Sequence, residues 1–143
     1  IKIYLITNIK ISRLSKYEED QIQIFIGDQS NKRFLKNIIK KIPKLDIVLD
    51  DGGHQVDQQI NSFDVLFPFV DKRGIYMCED THTSYQRKNY GGSYDAKNTF
   101  IDHMKKHIDF YHSRAGSSKT AALLSAKAII LPIMIMPIWR MSR

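Results

Sequence analysis

Four short apolar runs recur along the chain with helix-length spacers between the later ones: residues 3–6, 22–26, 46–49 and 74–78. Each is β-branched or aromatic in character and too short to be a buried helix, so each reads as a strand. Between the second and third runs, Phe34, Leu35, Ile38, Ile39 and Ile42 recur at helical spacing within 31–42, with Arg33 and lysines on the other face. Pro43 follows as a stop. Between the third and fourth, Val56, Ile60, Phe63, Val65, Leu66 and Phe67 form another amphipathic stretch that ends at Pro68. Strands alternating with helices predict βαβ crossovers and a parallel sheet, hence an α/β fold. Ligands of such sheets bind beyond the carboxyl ends of the strands.

The residues at those ends carry the chemistry. The third run leads into Asp50-Asp51-Gly52-Gly53-His54, and the fourth into Glu79-Asp80. Neighbouring parallel strands lie about 4.8 Å apart, so carboxylates at two adjacent tips converge. Asp51, Glu79 and Asp80 then form a cluster of like charge that calls for a cation among them. A hard divalent ion with oxygen ligands, Mg²⁺ foremost, meets that need. The two glycines allow a sharp turn and close approach, which aims His54 at the same point. Each motif alone also reads as an ordinary turn or cap. Together, at consecutive strand ends with a histidine, they read as a site.

One ordered series resembles a known family: Gly27-Asp28-Gln29-Ser30, then Asp46 to His54, then Ser62-Phe63 with Leu66-Phe67-Pro68, then Gly74-Ile75-Tyr76 with Glu79-Asp80-Thr81-His82-Thr83-Ser84-Tyr85. It is similar to the class I S-adenosylmethionine-dependent O-methyltransferases of the macrolide-sugar type and to related sequences described as cephalosporin hydroxylase or rhamnosyl O-methyltransferase. The resemblance covers roughly residues 22–102. It implies a Rossmann-like sheet, with S-adenosylmethionine and Mg²⁺ as cofactors and a sugar-containing acceptor. By position it implies Asp51, Glu79 and Asp80 as Mg²⁺ ligands and His54 as general base. Asp28 and Gln29 fall beside the cofactor, with Asp51 at the junction of cofactor and metal. Thr81, His82 and Tyr85 fall at the acceptor pocket.

The chain departs from the family pattern in places. The Gly-rich cofactor loop and the first strand, which lies centrally in the sheet, are not found. Thr7 stands at the tip of the 3–6 run, where an acid for the ribose hydroxyls is expected, and Gly53 stands where serine is usual. The opening Ile-Lys-Ile-Tyr-Leu-Ile is already a strand pattern without signal-peptide features, as in a chain entered mid-domain. Residues 1–112 read as a partial methyltransferase domain, and 113–143 as a Gly/Ser break with an apolar tail. Two other readings stay open at this point: an inactive fragment, and a metal-dependent hydrolase using the same carboxylates.

Bulk properties narrow the partners. The chain of 143 residues suits one domain at most. Its net charge of +7 is uneven: residues 1–102 hold 15 basic against 14 acidic residues, and 103–143 hold 7 against 1. That tail excess, without an aromatic-interleaved basic motif, argues against nucleic acid. The run 121–139 approaches span length, yet Lys127, Pro132 and Pro137 interrupt it, so a membrane is disfavoured and only the tail leaves it open. Cys78 is the single cysteine, which precludes an intrachain disulfide and suits a cytoplasmic setting. Self-association is left open. His103 and His107 have metal-face spacing but lack the companion glutamate, so they read as a solvated face. Residues 90–94 read equally as a lid or a surface loop, and Cys78 as a core residue.

Overall fold

The computed structural model describes residues 2–7, 19–86, 88–113 and 128–130. Strands β1 (Ile3–Thr7) and β2 (Ile22–Ile26) pair in parallel, and β3 (Leu45–Asp50), β4 (Val70–Cys78) and β5 (Ala128–Ile130) form a second parallel set in that order. Helices α1 (Lys32–Ile39), α2 (Val56–Leu66) and α3 (Phe100–Ser113) connect them. All strand pairs between the named strands are parallel, as the alternating pattern predicts. Strands β3, β4 and β5 follow one another in their sheet, and α1 packs on α2 and α2 on α3, so the three helices form one layer.

Local chemistry sets the helix ends. Asn31 caps α1, accepting the Phe34 N–H at 3.1 Å. The helix stops at Ile39, three residues short of the expected end, because the residue before Pro43 is pushed out of helical conformation. Ile42 still reaches the core from the turn that follows. Similarly, α2 stops at Leu66 and a 3₁₀ turn, Phe67–Phe69, takes up Pro68. Strand β4 starts earlier than its apolar run suggests. Its pairing jumps from Leu45↔Val70 to Ile47↔Ile75, so a bulge accommodates the charged residues between.

The core gathers around Phe63 on α2. Its ring stacks on Phe67 at 4.8 Å and meets Tyr76 and Phe100 edge-on at 5.2 and 6.2 Å. Val48, Leu66, Val70, Cys78 and Met104 complete the cluster. Cys78 points into the core, as expected. His103 and His107 do not lie on a solvated face. Both are half-buried and turn their rings toward Phe63, at 6.1 and 5.2 Å.

The opposite face of the sheet is open among the described residues. Ile47 is 63% and Leu49 56% exposed, while Val48 and Asp50 beneath them are buried. Parallel sheets are ordinarily covered on both faces. Strands β1 and β3 also each pair on one side only among the described residues. The arrangement is an incomplete Rossmann-like α/β fold. Of the 114–143 tail, only Ala128–Ile130 is described, adding a strand beside β4. The expectations for the rest of the tail lie outside the described residues. No helix among the described residues is long and apolar enough to cross a membrane.

Replacing Phe63 by Ala is expected to lower stability by about 3–5 kcal/mol. Ile47→Ala, on the open face, should change it by less than about 0.5 kcal/mol. Urea denaturation of the two variants checks this, and equal losses would refute the assignment of the core to one face.

Candidate active site

Strands β3 and β4 end side by side. Asp50 is paired with Cys78, and the Glu79 N–H donates to the Asp50 carbonyl at 3.0 Å, carrying the ladder one step past the strands. Strand alternation then turns Asp50 inward and Asp51 outward. The buried Asp50 carboxylate accepts from the Tyr76 hydroxyl at 2.7 Å and from the Gln29 amide. Burial pushes its pKa up, and the bonds from Tyr76 and Gln29 pull against that. Burial, with Asp50 next, pushes the Tyr76 phenol up as well, so it remains a donor.

Above this anchor, Asp51, His54 and Asp80 each present a ligand atom within 4.8 Å of the others. His54 Nε2 lies 3.5 Å from Asp80 Oδ2 and 3.9 Å from Asp51 Oδ1. On the far side of Asp80, His82 Nδ1 stands 3.7 Å from Oδ1, buried and without a hydrogen-bond partner among the described residues. His54 and Asp80 both hold left-handed backbone, at φ 57° and 51°. That conformation costs a non-glycine residue of order 1–3 kcal/mol and collects at functional sites. Here it turns both side chains back over the strand tips. Glu79 lies outside the group of three, and its carbonyl accepts the Gln59 amide at 3.1 Å.

Glutamine and asparagine side chains hold the loops in place. Gln29 bridges two tips, donating to Asp50 while its Oε1 accepts the Gly53 N–H at 3.2 Å. The Asn61 amide donates to the Ser30 carbonyl at 2.7 Å, tying α2 to the loop after β2. Both glycines of the motif lie close under a neighbouring glutamine side chain. A Cβ on Gly52 would strike Gln29 Oε1, and one on Gly53 would strike Gln58 Oε1. Neither glycine has positive φ. Gln58 ends in a flexible amide that can yield, so the serine usual at position 53 is compatible with this loop.

Of the remaining expected residues, Asp28 is exposed and accepts from Ser30 N–H at 2.8 Å and Ser30 Oγ at 2.7 Å. Those bonds hold its pKa below the ordinary carboxylate value. Thr81 to Tyr85 form a 3₁₀ turn, locked by Thr83 Oγ1 donating to the Asp80 carbonyl at 2.9 Å. Tyr85 is exposed, and its ring lies 6.3 Å from that of Tyr94, also exposed. The loop that carries Tyr94 is pinned: the Val56 N–H donates to the Tyr90 carbonyl and the Gly92 N–H to the Gln86 carbonyl, both at 3.0 Å. Sequence reasoning missed the anchoring roles of Asp50, Tyr76, Gln59 and Asn61. Strand parity alone could have flagged Asp50, because Asp50 and Asp51 must face opposite ways.

No family model matches the chain. The 8-demethyl-8-alpha-L-rhamnosyl tetracenomycin-C 2'-O-methyltransferase of Streptomyces olivaceus is 32% identical over 117 residues, covering 78% of this chain and 31% of that protein. The mycinamicin VI 2''-O-methyltransferase of Micromonospora griseorubida is 37% identical over 90 residues, covering 63% and 22%. The MycE methyltransferase of the mycinamycin biosynthetic pathway, solved in complex with Mg, SAH and mycinamycin VI, matches in structure with a TM-score of 0.69 at 32% identity. That match covers 78% of this chain and 30% of that one. The chain thus spans about a third of the length of these relatives, or less.

Tyr76→Phe leaves the buried Asp50 carboxylate short of a donor and is expected to cost about 1–3 kcal/mol. A urea midpoint unchanged from the parent chain would show that Tyr76 does not anchor this strand tip.

Proposed function

We propose that this chain, homologous to the O-methyltransferases of macrolide and related antibiotic sugars, carries the metal-binding and proton-accepting part of a methyl transfer from S-adenosylmethionine to a sugar hydroxyl. The observation that carries the reading is the convergence of Asp51, His54 and Asp80 at the tips of β3 and β4. Two carboxylates from adjacent tips make a hard oxygen donor set that suits Mg²⁺. Glu79 is assigned to the same set from its place beside Asp80 in the chain.

Each residue then has a part. Asp51 and Asp80, with Glu79, hold Mg²⁺, which when bound polarises the acceptor hydroxyl. His54 Nε2, the nitrogen that faces both carboxylates, takes the proton from that hydroxyl as it attacks the sulfonium methyl. Asp80 Oδ2 stands 3.5 Å from that nitrogen. His82 flanks Asp80 and, with Thr81, borders the acceptor. The exposed rings of Tyr85 and Tyr94 offer the apolar surface against which a sugar ring packs. Asp28 lies on the cofactor side, and Gln29 keeps that loop in register with the metal loop.

Calorimetry of the chain with Mg²⁺ and with S-adenosylmethionine tests the proposal. Both should bind, and Asp51→Asn or Asp80→Asn should weaken Mg²⁺ binding without preventing folding. His54→Ala should retain Mg²⁺ and lower methyl transfer to a rhamnosyl acceptor by about 10²–10⁴-fold. Mg²⁺ affinity indifferent to both aspartates would overturn the metal assignment. Mg²⁺ binding without any binding of S-adenosylmethionine would favour a hydrolase over a methyltransferase.

A further inference from the structure

A second group of ligating side chains lies on the helical layer. We propose that Asp64, His103 and His107 form a separate metal site, for a transition ion of the Zn²⁺ class, that clips α3 to α2. Their ligand atoms all lie within 4.8 Å of one another. His103 and His107 stand four residues apart on α3, which brings both rings to one face of the helix. Asp64 approaches them from the last turn of α2.

The distances match the edges of a coordination polyhedron. Zn–N and Zn–O bonds of about 2.0–2.1 Å at tetrahedral angles place neighbouring donor atoms about 3.3 Å apart. Here His103 Nε2 is 3.2 Å from His107 Nε2 and 2.8 Å from Asp64 Oδ1. Proton accounting points the same way. His103 Nε2 faces a carboxylate oxygen and an imidazole nitrogen together, and its single N–H satisfies one of them. An ion accepts from all three.

The surroundings hold the donors in place. Phe63 meets both imidazoles nearly edge-on, with interplanar angles of 85° and 69°. Lys32 Nζ takes the other oxygen of Asp64, Oδ2, at 2.6 Å, which leaves Oδ1 toward the histidines. The Lys32 charge opposes a cation, and it also orients the carboxylate as outer-shell partners do.

This group shares no residue with the strand-tip cluster. Asp64 lies eight positions past Val56 at the start of α2, about 12 Å along the helix. Its chemistry differs too: two imidazoles favour Zn²⁺, Ni²⁺ or Co²⁺, whereas the carboxylate tips favour Mg²⁺. Three protein ligands leave a fourth position for water or another donor.

The test titrates the full chain with Zn²⁺, and with Co²⁺ as a spectroscopic probe. One equivalent should bind, Co²⁺ should show visible bands of nitrogen coordination, and excess Mg²⁺ should not displace either ion. The Asp51→Asn/Asp80→Asn variant should keep this binding. His103→Gln or His107→Gln should weaken it beyond the roughly 10–100-fold typical of outer-shell changes. The unsubstituted chain supplies a second readout, since Zn²⁺ should protect residues 103 and 107 from histidine-selective carbethoxylation mapped by mass spectrometry. Absence of Zn²⁺ binding, or binding lost with the strand-tip aspartates and kept by both glutamine variants, or protection confined to His54 and His82, would each overturn the proposal.

Discussion

The parallel pairing of β3 with β4, in a register that ends both strands together, is the constraint on which the candidate site depends. With Asp50 opposite Cys78, the next residues of each strand leave the ladder at the same height. Shifting the register by one residue would turn Asp51 inward and Asp50 outward, since side chains alternate faces. The buried Tyr76–Asp50 hydrogen bond opposes such a slip, because Asp50 without that donor would be a charge in a largely apolar core. The inward carboxylate therefore fixes where the outward one stands.

A second constraint acts from the helical layer. Phe63 and its aromatic neighbours seat α2 on the sheet, and α2 in turn sends polar side chains forward to the loops. Gln59 reaches the Glu79 carbonyl and Asn61 the Ser30 carbonyl. Gln58 closes a capping box with Gln55 at the start of the same helix. Burial of one helical stripe thus positions loops from three strands. The left-handed backbone at His54 and Asp80 is tolerable in this frame because the loops on either side are held by those bonds.

The two ligating clusters differ in donor chemistry and in structural level. One sits at strand tips, is rich in carboxylate and faces outward. The other joins two helices, is rich in imidazole and is half-buried against Phe63. Separate placement keeps the two donor sets chemically distinct.

Much of this was legible in the residues alone. Short β-branched or aromatic runs and period-3.6 stripes specified parallel strands and amphipathic helices, because run length and repeat spacing set which side chains an element can bury. Asp51, His54 and Asp80 were legible because charged residues directly after a strand run must lie at its tip. Tertiary structure decided what depends on pairing across distance. It chose Asp50 for the core and gave Gln29 its bridge. It brought Asp64 to His103 and His107 from another helix. Sequence spacing reports which face of its own element a residue occupies. Only the packing of elements determines what that face meets.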